Sequence, residues 1–307
     1  MKIIVTGGAG FIGSHVTDVF IEAGHDVIVV DDLSTGRRSN INPHAVFYEM
    51  DIRSSDMEQI FIQEKPEVIC NHAAQMSTRK SMDDPLFDAD VNIIGLIKLA
   101  QLAIKYGTRK FIHISSGAVY GEPKYLPCDE KHPIKPLCHY GVSKYAFELY
   151  LNVFSEYLDY SVIRYPNVYG PRQDPYGEAG VIAIFIGQML RDEQVTINGN
   201  GNQMRDFVYV TDCARFNLML LRQGSKKVYN LGCGEGTTVN EIFKKLSNIT
   251  NYDKPVLYNP AKVGETFKIY LDAGRADEEL GWQPIVPLRQ GLKRTVEYFE
   301  EREILNA

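Results

Sequence analysis

Tyr140 and Lys144 stand four residues apart in His139-Tyr140-Gly141-Val142-Ser143-Lys144, at the start of a segment that reads as a helix. On a helix that spacing puts both side chains on one face, about one turn apart. A phenol is a poor base at its ordinary pKa of ~10. An ammonium one turn away stabilises the phenolate and is expected to lower that value. The pair reads as a proton-transfer device tuned toward the working pH. Ser116 ends the strand read just before, Lys110–Ser116, where its hydroxyl can donate or relay a hydrogen bond to a substrate hydroxyl.

The first thirty residues supply a second chemical element. Lys2–Thr6 is a short β-branched run that suits a buried parallel strand. Gly7-Gly8-Ala9-Gly10-Phe11-Ile12-Gly13 follows, then apolar residues at helical spacing (Val16, Val19, Phe20, Ala23), a stop at Gly24, and a second strand ending in Asp31-Asp32. This is a βαβ unit of dinucleotide-binding size. Gly7 permits the turn, Gly10 lets a pyrophosphate approach, and Gly13 lets helix and strand pack closely, while the helix N-terminus at Phe11 and Ile12 attracts the anion. Asp31 is placed to accept from both ribose hydroxyls, which favours NAD over its 2′-phosphorylated form, although Arg37 and Arg38 lie close behind. Lys144 then has a second possible task, holding the nicotinamide ribose.

The intervening elements must position these groups. Ala45–Met50 reads as a third strand running into Asp51-Ile52, where Asp51 can either meet an adenine amino group or cap the helix near Asp56. Glu67–Cys70 is a fourth strand leading to Asn71-His72-Ala73-Ala74, whose small residues admit a cofactor backbone; His72 itself reads as structural. A helix from Leu86 to Tyr106 carries Asn92, an amide expected to brace nearby strand ends. Ser161–Tyr165 is a sixth strand. Alternating strands and helices imply an α/β, doubly wound parallel sheet over residues 1–170. Residues 171–307 read as a smaller, interleaved α/β lobe, with a segment near 205–235 returning to the main sheet.

Composition narrows the class. The 307 residues carry a net charge of −6 at pH 7, which gives no basic footprint for nucleic acid. No apolar run approaches the ~20 residues of a membrane span. Met1 leads straight into a core strand, so no leader is expected, and the five cysteines form no CxxC pair. They read as reduced packing thiols of a cytoplasmic protein, not as metal ligands.

Taken together, Thr6–Gly13, Asp31-Asp32-Leu33-Ser34-Thr35-Gly36, His72-Ala73-Ala74, Ser115-Ser116 before Val119-Tyr120-Gly121, Tyr140 to Lys144, Asn167–Arg172 and Arg205–Val208 resemble the extended short-chain dehydrogenases/reductases of the NAD-dependent epimerase/dehydratase family. The likeness is greatest to sugar-nucleotide epimerases of the UDP-glucose 4-epimerase type. It implies a resident NAD contacted also by Asp32, Ser34, Thr35, Gly36, Ile52, His72, Ala73, Ala74, Gln75, Asn92, Ser115 and Pro166. It implies that Tyr140 takes the proton of a sugar 4-hydroxyl while C4 gives up hydride, and that the 4-keto sugar turns over and is reduced on its other face. Asn167 and Arg205 match diphosphate contacts; the weaker alternative for Arg205 is a surface ion pair with Asp206 or Asp212. Val181, Thr196 and Ile197 would flank the base, and Glu265 would hold the nucleotide ribose.

Two positions depart from the family pattern. Lys262 replaces a second diphosphate arginine and loses its bidentate fork. Ile269, of intermediate size, stands where relatives gate N-acetyl sugars. Related dehydratases and decarboxylases carry acids after the catalytic hydroxyl, whereas this chain has Gly117-Ala118. His113, His139 and Cys138 keep a reductase or 3,5-epimerase reading open. An NAD-sensing regulator and a dehydrogenase with net turnover are the remaining readings. The resemblance also implies a homodimer through helices 86–106 and 140–158.

Overall fold

Seven short strands form one parallel sheet, whose five inner strands are apolar and largely buried on both faces. A computed structural model describes residues 1–176, 180–261 and 266–306, with side chains to Arg302. Strand β1 (Lys2–Thr6) leads through the glycine turn to α1 (Phe11–Glu22), then β2 (Asp26–Asp31) and β3 (Val46–Glu49). Next come α2 (Met57–Glu64), β4 (Val68–Asn71), α3 (Thr78–Asp83) and α4 (Pro85–Ala89). The Asp84 carboxylate caps α4 by accepting from Phe87 N–H at 3.0 Å, with Pro85 in the first turn. The helix widens into a π-helical stretch at Asp90–Gly95 and continues as α5 (Leu96–Lys105).

Strand β5 (Lys110–Ser116), α6 (His139–Phe154) and β6 (Asp159–Tyr165) complete the alternation. Four short strands and two helices follow: β7 (Asn167–Tyr169), α7 (Val181–Leu190), β8 (Thr196–Asn198), β9 (Met204–Arg205), β10 (Phe207–Tyr209) and α8 (Val210–Leu220). The chain ends with β11 (Lys227–Asn230), β12 (Thr237–Thr238), α9 (Val239–Thr250), β13 (Leu257–Asn259), β14 (Lys268–Ile269), α10 (Gly274–Leu280) and α11 (Leu288–Asn306).

The main sheet has the order β11-β6-β5-β4-β1-β2-β3, all parallel. The order reverses between β1 and β4, and in such sheets ligands sit beyond the carboxyl ends at that switch. Side chains alternate between two cores. Ile3, Val5, Val27 and Val29 pack with Val16, Phe20, Phe216 and Trp282, whereas Ile4, Ile28 and Val30 pack with Phe61, Leu99 and Phe147. Burying an aliphatic side chain contributes about 1.5–3 kcal/mol, so each face is strongly driven. A third core joins α7, α9 and α11 around Phe185, Ile242 and Leu292.

Strand β11 pairs with β6 at the edge of the main sheet, and α8 packs on α1. Helix α6 stops at Phe154 and does not run to Leu158. The helix α11 and the short pairs β7–β10 and β9–β14 were not expected from the sequence.

Candidate active site

The glycine turn is built as the spacing predicts. Gly7 has φ +69°, and a Cβ there would lie 2.6 Å from the Ala73 nitrogen, so turn and β4 exit both require glycine. Gly10 N–H donates to the Gly7 carbonyl at 3.1 Å and Gly10 precedes α1. The N–H groups of Phe11, Ile12 and Gly13 lack a carbonyl four residues back within α1, which leaves donors at the helix start.

Asp31 has a second task that the motif did not suggest. Its carboxylate accepts from Ala9 N–H at 2.9 Å and Leu33 N–H at 2.8 Å, tying the glycine turn to the β2 exit. Burial raises its pKa. A carboxylate has about four lone-pair directions, so acceptors remain for a ribose. Asp32 accepts from the amide and hydroxyl of Ser34, Thr35 is exposed, and Gly36 packs on Asp31. Arg37 pairs with Asp174 at 3.0 Å and Arg38 with Glu49. Asn40, buried and overlooked in the sequence, donates to the Ala9 carbonyl at 3.0 Å.

Further along the rim, Asp51 does not cap α2. Its carboxylate binds Arg53, which holds its pKa low and reaches on to Asp90 at 2.7 Å. Three expected contacts turn their side chains inward, because strand alternation and core packing place them there. Ile52 lies in the α2/α5 core, Ile197 in the third core, and the Ser115 hydroxyl donates to Glu148 beneath the sheet at 2.5 Å. These positions can offer backbone only. His72 borders Ala73 and Ala74; its ring lies 3.4 Å from the Cys70 sulfur, and burial pushes its pKa down to about 3.

Asn92 braces as expected. Its oxygen accepts from Gln75 N–H at 3.0 Å, and its nitrogen donates to the Gln75 carbonyl, Asp88 and Ser143. The π-helical widening falls at this residue, as such widenings often do near functional sites. Pro166 follows β6 at the same rim and is partly buried.

Ser116, Tyr140 and Lys144 come together at the carboxyl end of β5. Lys144 Nζ donates to the Ile114 carbonyl at 3.0 Å and lies 5.8 Å from the Tyr140 ring centroid. The Ser116 hydroxyl accepts from Ala118 N–H at 3.1 Å and stands beside the phenol, whose pKa it lowers. The electrostatics correct the sequence argument. Burial pushes Tyr140 up to about 12 and Lys144 down to about 8. Desolvation outweighs the lysine's pull, since Lys144 is turned onto a carbonyl and Asp88 and Cys138 add negative character near the phenol. Of the other candidates, His113 lies under the sheet against Phe147 and His139 faces the Ser81 carbonyl, leaving Cys138 beside the phenol.

Across the cleft, Asn167 opens β7 and Arg205 lies in β9, directly opposite Ile269 of β14. Arg205 Nη1 donates to the Met204 carbonyl at 3.0 Å. The Asp206 carboxylate is engaged by Cys233 and Leu271 N–H, and Asp212 by Ile285 and Val286 N–H. Val181 begins α7, and Thr196 begins β8 with its side chain partly exposed. Lys262 and Glu265 lie outside the described residues. Among the described residues no cluster of His, Cys, Asp or Glu is arranged to hold a metal ion.

The pattern of the NAD dependent epimerase/dehydratase family matches residues 3–232. The chain belongs to this family. It is similar to a UDP-glucose 4-epimerase from Thermotoga maritima, solved with UDP-glucose: 51% identity, TM-score 0.97, covering 99% of this chain and 100% of that one. It also resembles a Thermus thermophilus UDP-glucose 4-epimerase solved with NAD, at 37% identity and TM-score 0.94 over 98% and 99% of the two chains. A UDP-glucose 4-epimerase of Mycolicibacterium smegmatis is 40% identical over 98% of this chain and 99% of its own.

Proposed function

We propose that this chain inverts C4 of a UDP-hexose, interconverting UDP-glucose and UDP-galactose with NAD as a resident cofactor. The observation that carries the reading is the Ser116–Tyr140–Lys144 set next to Gly117-Ala118, where nothing can titrate. Water elimination or decarboxylation would call for a further acid or base at that place. The full-length likeness to UDP-glucose 4-epimerases supports the same substrate.

The rim fits a dinucleotide. Donors at the start of α1 suit a pyrophosphate, Gly10 puts no Cβ in its way, and Asp31 retains acceptors for a ribose. NAD, when bound, supplies a hydride acceptor that can return what it takes. Tyr140 removes the proton of the 4-hydroxyl and later restores one, and Ser116 orients that hydroxyl. Burial pushes the phenol up to about 12, so the positive Lys144 one turn away serves to favour its ionised form. Asn167 and Arg205 grip the diphosphate, with Val181 and Thr196 beside the base. Binding energy taken at the nucleotide end leaves the sugar able to present either face.

Residues 1–170 serve as the cofactor domain and 171–307 as the substrate lobe. Leu86, Val142, Leu149, Val153 and Tyr157 are exposed on α4 and α6 and just beyond it, which supports a homodimer through these helices. Five unpaired cysteines support a cytoplasmic setting, and among the described residues no helix is long and apolar enough to cross a membrane.

The test is incubation with UDP-, dTDP-, GDP- and ADP-sugars followed by chromatography. Tyr140→Phe is expected to cut UDP-glucose epimerisation by about 10²–10⁴-fold with the fold retained. Near-normal turnover in that variant overturns the mechanism.

A further inference from the structure

Helix α6 faces the end of β5 at three levels. Tyr140 stands beside Ser116, Lys144 Nζ donates to the Ile114 carbonyl at 3.0 Å, and Glu148 accepts from the Ser115 hydroxyl at 2.5 Å. The three helix residues are each four apart and share one face. Only the third level lies away from the cleft, and only it carries a buried full charge pair. Glu148 Oε1 accepts from Arg164 Nε at 3.0 Å and Oε2 from Nη2 at 2.6 Å, with both side chains about 5% exposed or less.

Arg164 extends the contact sideways. It sits opposite Ser115 in the β5–β6 register and opposite Asn230 in the β6–β11 register. Its Nη1 donates to the Tyr120 hydroxyl at 2.8 Å, which donates to Asn230 Oδ1 at 2.7 Å. Asn230 Nδ2 donates to the Cys128 carbonyl, and Cys128 bridges Leu271, whose side chain faces Gly117.

A buried ion pair is weak evidence for stability, since a well-packed apolar pair often serves as well. The bidentate geometry does fix direction. We propose that Glu148, held by Arg164, is a positioning residue that sets the spacing between the Tyr140–Lys144 face and Ser116, and ties it to the substrate lobe through Tyr120 and Asn230. This rests on the epimerase reading for its kinetic arm only.

The experiment compares wild type, Glu148→Gln and the double variant Glu148→Met/Arg164→Met, each NAD-loaded and assayed well below its melting temperature. Glu148→Gln leaves the Arg164 charge buried and unmatched, so it also loses stability; the apolar double variant recovers melting temperature. A misplacement near 1 Å costs about 10²-fold, so kcat is expected to fall about 10- to 100-fold in both, with KM within about twofold of wild type. Amide hydrogen exchange is expected to quicken over residues 114–118 and 139–145 in both. A double variant with wild-type kcat and a restored melting temperature would assign the pair a structural role alone and overturn the proposal. If wild type epimerises none of the sugars, the functional reading fails, and hydrogen exchange decides: unchanged protection at 114–118 in both variants then sinks the positioning role.

Discussion

Replacing Gly13 by alanine places a methyl carbon 2.2 Å from the Gly7 carbonyl oxygen, 2.9 Å from the carbon behind it and 3.1 Å from Gly8 Cα. Ordinary contact begins near 3.4 Å, so the start of α1 must retreat by about 1.2 Å. No rotamer relieves this, because every atom involved is backbone. The turn cannot yield easily either: Gly7 N–H is tied to the Val30 carbonyl at 2.8 Å and its φ is +69°. Alanine improves helix propensity by about 1 kcal/mol, while overpacking of this kind costs about 1–3 kcal/mol. Stability therefore falls modestly, by about 1 kcal/mol. The larger effect is on the anion. Hydrogen bonds to charged groups are worth about 1.5–3 kcal/mol each, and a shift of this size weakens two at once. The NAD Kd is expected to rise about 100-fold, measured by titration calorimetry on cofactor-stripped protein. Gly24→Ala is the control: φ there is +79° with nothing within 4 Å, so it costs about 1–2 kcal/mol of stability with the Kd unchanged. A Gly13→Ala protein that binds NAD within threefold of wild type would refute the account of the turn.

Three more outcomes follow from the geometry. Lys144→Met is expected to abolish epimerisation and to melt higher than wild type at pH 7. Burial lowers the folded Lys144 to about 8, so unfolded chains bind the extra proton between pH 8 and the ordinary lysine range, and the variant's advantage should vanish as pH rises through that window; a melting difference independent of pH contradicts the assignment. Asn40→Ala removes the donor to the Ala9 carbonyl, and should weaken NAD about tenfold while kcat at saturating cofactor stays as in wild type. Val153→Glu puts a charge on an apolar helix face and should give a monomer by light scattering; a persistent dimer would move the interface elsewhere.

The parts legible in the sequence were those governed by local rules. The β1–α1–β2 unit, the bounds of Val181–Leu190 and the convergence of Ser116, Tyr140 and Lys144 follow from periodicity, glycine placement and helix spacing. What escaped depends on contacts between residues far apart in the chain. Glu148 sits 16 residues from Arg164, and nothing local marks them as partners. The same holds for β9, whose neighbours β12 and β14 lie far downstream. The upward direction of the Tyr140 shift is invisible to spacing, which reveals a neighbouring charge but not how much water has been removed from both groups. The hold of Asp31 on Ala9 and Leu33 depends on the path of the turn, which no local motif spells out.

The seventh strand, Lys227–Asn230, and the helix over α1, Val210–Leu220, both lie downstream of Gly170. A nascent polypeptide that has just cleared Gly170 already contains the glycine turn and the tyrosine helix. It still presents the open flank of β6 and leaves Val16 and Phe20 uncovered, a state prone to sticking to other chains. Maturation of the first half thus waits for the second, and a single proteolytic nick between them would leave two fragments clasped together.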